Sequence, residues 1–290
     1  MYISDQKVSV KQHFTDNASY WDELYADGRE INDFYSHEIK RRKEVVFELF
    51  SKYKNQHYQK AIDVGCGAGF YVTELGEYKL EVYGSDISTK MIGLTQSRAD
   101  QYPSNSVKLL CADCENLPFP DEYFDVVLCI GVLSYVPDEL SILKELKRII
   151  KKDGLVIFNV PNVLKLRNML DPYYYIFKTW KFVGEKIKSL QNKSITPTRI
   201  VDNARMETPQ NRYTLKQIRK IALKVGLNIT EERGYAFGPL RFWRKDIISA
   251  KSSLKLSLFL EGLKEKKIFN IIKYFPVGWV FVTQKSGDQF

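Results

Sequence analysis

Residues 61–75, AIDVGCGAGFYVTEL, decide how the chain is read. A short apolar run ends in Asp63 and Val64, Gly65, Gly67 and Gly69 then alternate with small residues, and a helical pattern of apolar positions begins at Phe70. The order is strand, tight turn, helix. A turn leaving a buried strand needs backbone angles and a close main-chain approach that a Cβ would obstruct. The bare N–H groups at the head of the helix then face whatever polar group lies against the turn. A strand-to-helix connection with no ligand would use the same glycines, so their meaning depends on the chain to either side.

Downstream, a βα alternation runs with little interruption, the pattern of a parallel sheet covered on both faces. Strands are expected over Lys60–Val64, Glu81–Ser85, Val107–Cys111, Asp125–Ile130 and Leu155–Val160, with helices over Phe70–Tyr78, Ser88–Arg98 and Asp138–Ile150. Ser88 reads as an N-cap. Lys151, Lys152 and Gly154 read as the basic, glycine-capped end of the third of these helices. The apolar run Val126–Leu133 is too short to span a bilayer and suits a central parallel strand. Further on, a helix is expected over Leu215–Val225 and strands over Asn228–Tyr235 and Trp279–Gln284. Upstream, His13–Tyr25 and Ser36–Tyr53 read as helices packed over the sheet, the second carrying the charged run Lys40–Glu44.

Three acids fall at successive strand ends: Asp63, Asp86 and Asp113. Ligands of open α/β sheets bind outside the carboxyl ends of the strands, so these side chains are expected in one crevice beside the glycine turn. One aspartate alone is most simply a loop cap. Three in that placement suit a nucleoside bearing a cationic amino acid: the second strand's acid accepts from ribose hydroxyls, the third's from an adenine amino group, and Asp63 steadies the turn and an ammonium. A nicotinamide dinucleotide is the rival ligand. Its fingerprint is G-x-G-x-x-G, whereas the glycines here run G-x-G-x-G behind an acid that would repel a pyrophosphate.

DVGCGAG, Asp86 in YGSDIS, the segment CADCENLPFPDEYFDVVLCIGVLSYV and the helix ELKRIIKKDG resemble the class I S-adenosylmethionine-dependent methyltransferases, and among them the ubiquinone/menaquinone-methyltransferase-like type 11 group. The resemblance is strong over Lys60–Asn162, weaker over residues 10–60, and returns at NRYTLKQIRKIALKVGLNI. It implies a Rossmann-like α/β fold with a seven-stranded, mostly parallel sheet whose last strand is antiparallel, with helices on both faces. It also implies S-adenosylmethionine as cofactor. Gly65, Gly67 and Gly69 would lie under its methionine part with Asp63 nearby, Asp86 would take the ribose, Ile87 would pack on the adenine, and Asp113 with Cys114 would hold the adenine edge. Ile130 would offer backbone, and Tyr20, otherwise a core or lid aromatic, resembles a family tyrosine that reaches the cofactor. Where many relatives carry a histidine after the fourth strand, this chain has Ser134 and Tyr135, so the resemblance assigns no general base. By residue type Tyr135 and His37 are the catalytic candidates, with His13 and Asp138 behind them. For each of the four, packing or surface placement is the simpler account.

Composition sets the bounds. The chain has 290 residues, 44% of them hydrophobic, enough for a substantial core. Cys111 and Cys114 have C-x-x-C spacing, but no second pair or nearby His completes a zinc set, so no metal is expected. The N-terminal stretch lacks a signal-peptide core, which makes a reducing, cytoplasmic setting the default. Charge is divided unevenly: residues 1–154 hold 19 Lys+Arg and 25 Asp+Glu, residues 155–290 hold 25 and 10. The basic half suits a membrane surface, a phosphorylated substrate or nucleic acid, or is a solvated face. No nucleic-acid-binding signature appears, so nucleic acid is the weakest of these.

The expected organisation is an N-terminal helical lead-in (1–59), a cofactor core (60–162), a cap insertion (163–212), the rest of the sheet (213–237 and 277–286) and a second helical insertion (238–276). Within the last, Leu254–Phe275 mixes Leu, Ile and Phe with Lys at helical spacing. A helix packed on the domain or on a second subunit is favoured slightly over an interfacial helix resting on lipid. A sulfonium methyl is already activated, so direct in-line transfer needs mainly proximity and orientation, with a base only for a protonated acceptor. The function expected is O- or N-methylation of a small molecule, such as a glycan precursor, a polyketide or a lipid-linked compound. A non-catalytic scaffold of the same fold is the alternative, and so is an enzyme that reaches membrane lipid or nucleic acid through its basic half.

Overall fold

The computed structural model describes residues 3–25, 34–102, 107–166, 171–173, 175–176, 211–243, 245–263 and 274–285. Three helices lead: α1 (Ile3–Asp16), α2 (Ala18–Tyr25) and α3 (Phe34–Tyr53). The alternation follows as β1 (Lys60–Val64), α4 (Phe70–Gly76), β2 (Glu81–Asp86), α5 (Thr89–Ala99), β3 (Val107–Cys111), β4 (Phe124–Cys129), α6 (Glu139–Ile149) and β5 (Ile150–Pro161). Beyond the cap insertion come α7 (Leu215–Val225), β6 (Leu227–Tyr235), the short pair β7 (Arg241–Phe242) and β8 (Lys245–Asp246), α8 (Ala250–Leu263) and β9 (Gly278–Lys285). Most of the cap insertion, 167–170, 174 and 177–210, lies outside the described residues, as do residues 264–273 of the helix expected over Leu254–Phe275.

The main sheet has seven strands in the order β3-β2-β1-β4-β5-β9-β6. Neighbours are parallel from β3 through β5, and β9 runs antiparallel to both β5 and β6. The chain reverses its order between β1 and β4, which leaves a crevice at the carboxyl ends of those strands. Successive side chains of β4 alternate between two cores: Val126 and Leu128 pack with α3 and α4 residues such as Val46, Leu49 and Leu75, while Val127 and Cys129 pack with Ile142 and Leu146 of α6 and Ile218 of α7. That period of two, buried on both faces, is what a continuous apolar run produces in a central strand.

Caps set several boundaries. The Ser88 hydroxyl accepts from Met91 N, Asp138 accepts from Leu140 N, and Thr214 with Gln217 forms a reciprocal capping box closed at the far end of α7 by left-handed Gly226. Gly154 is a correction to the sequence reading. It does not cap α6, which ends at Ile149; it lies inside β5, where a Cβ would come within 2.6 Å of Ile150 Cδ1 and 3.0 Å of the Asp125 carbonyl. The strand starts early because Ile150 pairs with Phe124 before the register shifts, and Lys151 serves Asp125 at 2.7 Å rather than the helix end.

Candidate active site

At the glycine turn, the N–H groups of Gly65 and Cys66 donate to the Ser85 carbonyl at 2.7 and 2.9 Å, fastening the end of β1 to β2. Gly65 has φ +74°, and a Cβ there would come within 2.2 Å of Val132 Cγ2; Gly67 has φ +54°, and a Cβ there would meet nothing within 4 Å. Gly65 is thus required by packing. Gly67 borders open space that belongs to a cavity of about 930 Å³. Gly69 lies back from that cavity, capping α4 and packed against Thr95.

Asp86 is held by two amides: Gly67 N donates to Oδ2 at 3.0 Å and Ser88 N to Oδ1 at 2.8 Å. Burial raises its pKa, and those amides oppose the rise. Each oxygen keeps a lone pair for a further donor. Asp63 contrasts with it. Only 1% exposed, it accepts no hydrogen bond at either oxygen among the described residues, and burial together with the Asp86 charge pushes its pKa up to about 8. A buried carboxyl left without donors marks a place where a ligand's donor or cation is missing.

Asp113 also borders the cavity, already engaged: Lys7 Nζ from α1 lies 2.7 Å from Asp113 Oδ2 and 2.8 Å from Glu115 Oε2. Burial alone would lower the Lys7 pKa, but the two carboxylates outweigh it and hold the ammonium charged. Ile87, Cys114 and Ile130 line the same wall, and burial raises the Cys114 thiol well above its ordinary range. Tyr20 lines the cavity from α2, edge-on to Trp21. The crevice therefore brings together Gly65, Gly67, Asp86, Ile87, Asp113, Cys114, Ile130 and Tyr20. Two expectations are corrected: Asp63, only 1% exposed at the end of β1, does not line the cavity with the other two acids, and Gly69 is drawn back from it by its packing on Thr95.

Helices α1 and α2 roof this wall. Thr15 and Ser88 hydroxyls lie 2.9 Å apart, Arg98 joins Asp22 of α2 at 2.5 Å while donating to the Ala68 carbonyl at 2.9 Å, and Phe14 meets Tyr135 edge-on at 5.0 Å. Tyr135 lines the cavity. His37 does not: it is buried where α3 meets α8, with Nε2 3.3 Å from Ser257 Oγ, and burial lowers its pKa. Asp138 acts as the α6 cap, taking Leu140 N at 2.9 Å and Ser141 Oγ at 3.0 Å.

Arg42 is a site residue that the sequence reading passes over. It lines the cavity from α3, donates to the Tyr25 hydroxyl, and has no partner at Nε among the described residues. Burial would lower its pKa, but the phenols of Tyr25, Tyr71 and Tyr235 and the Glu38 carboxylate raise it further, so the guanidinium stays cationic. The Lys40–Glu44 run looks solvated. The signal lay in phase: Arg42 falls three residues after Ile39 and four before Val46, on the buried stripe of the helix. Arg41, about a third of a turn away, instead pairs with Glu44, Glu48 and Glu261.

The strand order, the single antiparallel strand and the acids at the strand ends beside a glycine turn define a Rossmann-like class I methyltransferase fold. Residues 62–158, about a third of the chain, match the family model described as a methyltransferase domain. Among relatives, a demethylmenaquinone methyltransferase of Geobacillus sp. (strain WCH70) is 33% identical over 129 residues, covering 42% of this chain and 54% of the relative. Another of the same name from Geobacillus stearothermophilus is 31% identical over 143 residues, covering 48% and 59%. The chain thus spans little more than half the length of these two proteins. Among solved structures, magnesium protoporphyrin IX methyltransferase from Synechocystis PCC 6803, with bound SAH, superposes with a TM-score of 0.59 at 19% identity, covering 97% of this chain and all of that one.

Proposed function

We propose that the chain is an S-adenosylmethionine-dependent methyltransferase for a small-molecule acceptor, working by direct in-line transfer. The observation that carries this is Asp63, a buried carboxyl with no donor among the described residues, beside an open glycine turn. It fits a ligand that brings an ammonium. The free acceptor capacity of Asp86 fits ribose hydroxyls, Ile87 and Ile130 fit the faces of an adenine, Asp113 and Cys114 fit its edge, and Arg42 fits a carboxylate. Tyr20 closes over them. The cofactor supplies a methyl group activated on a sulfonium. The chain's part is to orient two reactants and exclude water, which suits a roof built from Phe14, Tyr20 and Trp21.

The cavity continues past the cofactor wall to Asn159, Pro161, Tyr235 and Pro239, leaving room for an acceptor. The relatives named above suggest a planar ring system there, which the aromatic walls suit. Of the sequence candidates, Tyr135 and His13 both line this cavity, and we assign to them the meeting of an acceptor's proton.

Isothermal titration calorimetry with S-adenosylmethionine tests the reading. Micromolar binding is expected, weakened in Asp86→Ala by more than about 1 kcal/mol, the scale of a lost charge-assisted hydrogen bond. A wild-type protein that takes up no S-adenosylmethionine overturns the assignment and leaves a scaffold of the same fold.

A further inference from the structure

Helix α8 is built inside out. A surface helix buries its apolar stripe and turns its polar face to water. Here the buried side chains are Ser253, Ser257 and Glu261, at four-residue spacing, whereas none of Leu254, Leu256, Leu258, Phe259, Leu260 and Leu263 is buried. The polar face is firmly fastened. Ser257 Oγ accepts from Phe237 N at 2.9 Å, and Glu261 takes Arg41 Nε of α3 at 2.6 Å. The outward face carries Leu258 and Phe259, 55% and 63% exposed, together with exposed Lys251 and Lys255.

A second feature lies three residues upstream. The β7–β8 pair turns through Phe242 and Trp243, 48% and 52% exposed, flanked by exposed Lys245 and Ile247. The same pair lines the cavity: Arg241 and Asp246, joined at 2.7 Å, stand on its rim beside Pro239. One small element thus shows aromatic side chains to the outside and a polar ion pair to the cavity.

The geometry points to the β7–β8 turn and the outer face of α8 as a docking surface for an anionic lipid bilayer, with the cavity rim held against it. Trp and Phe suit the headgroup level, Leu258 and Phe259 suit the acyl boundary, and the lysines suit anionic headgroups. Charge decides between lipid and a second copy of this chain. An isologous contact would bring two sets of Lys245, Lys251 and Lys255 into one interface, whereas anionic lipid neutralises them. The surplus of 25 basic over 10 acidic residues in residues 155–290 favours the same partner. Resting on the methyltransferase reading, this extends to the acceptor: a planar, lipid-dissolved or lipid-linked compound would enter from the bilayer past Arg241 and Pro239.

Vesicle flotation of the full chain tests the surface, with phosphatidylcholine vesicles made with and without phosphatidylglycerol, at low and high salt. The chain is expected to float only with the anionic vesicles and to dissociate as salt rises. A Trp243→Ser/Phe259→Ser variant should lose roughly tenfold or more of the bound fraction, with its circular dichroism and its S-adenosylmethionine titration unchanged. No flotation of the wild type, or equal flotation of the variant, overturns the proposal. So does a wild-type dimer in light scattering that becomes monomeric in the variant, which would give the surface to a second copy. Vesicle binding requires no cofactor, so a failure here is separate from a failure of the enzymatic reading.

Discussion

Asp63 and Asp86 flank one turn in opposite conditions, the first with no donor among the described residues and the second held by two amides. With its folded pKa raised to about 8 against an ordinary 3.8, Asp63 keeps its proton in the empty protein at neutral pH while an unfolded chain releases it. The folded state then binds more protons than the unfolded one between those values, so this group's contribution to stability falls as pH rises from about 4 towards 8 and levels off above that. An ammonium ligand reverses the preference. Binding of S-adenosylmethionine near pH 7 should therefore release a proton and tighten as pH rises towards 8. Calorimetry in buffers of different ionisation enthalpy checks this, and Asp63→Asn should abolish the proton release and flatten the fall of the unliganded melting temperature. Asp63, at the same kind of strand end, is buried and does not line the cavity, whereas Asp86 and Asp113 were legible as cavity residues because strand ends in an alternating chain fix where side chains emerge. The bond from Lys7 to Asp113 was not, since it joins positions 106 residues apart. Arg42 was hidden for a different reason: it sits in a charged run that reads as solvated, and only helical phase turns it towards the cavity while Arg41 reaches Glu261 of α8.

At the scale of elements, period and caps carried most of the information. β4 was recognisable from its apolar run, and α7 was expected over Leu215–Val225, where the structure adds the Thr214–Gln217 capping box and Gly226. Thr214→Ala removes the acceptor for Gln217 N and should cost about 1 kcal/mol in urea denaturation, with the dependence on urea unchanged because the surface exposed on unfolding is the same. Gly154 was misleading because a glycine after lysines is the ordinary signature of a helix end; strand pairing by Ile150 decides otherwise. For α8 the spacing announced two faces without saying which one turns inward. That depended on Arg41 and Phe237, partners far away in sequence, which claim its polar side.

Across the whole molecule, the cavity joins parts that sequence reading treated separately. The lead-in helices supply roof and Arg42, the core supplies the turn and acids, and the second insertion supplies Arg241 and Asp246 at the rim. Ligand binding should therefore order distant parts of the chain together. Hydrogen exchange with and without S-adenosylmethionine is expected to slow in α1, α2 and the glycine turn while leaving α8 unchanged. The seven strands and the antiparallel last one were legible once the family resemblance was in hand, whereas the joining of insertion to rim was not, because the length of an insertion does not say where it lands.

The contact between Gly65 and Val132 reaches furthest. It leaves no room for a methyl group between the glycine turn and the loop that leads to Tyr135, so any change on one side is felt on the other. Drift in acceptor preference should therefore be recorded in the insertions at the rim, and descendants of this chain that take up new chemistry should differ there while the wall around the glycine turn stays still.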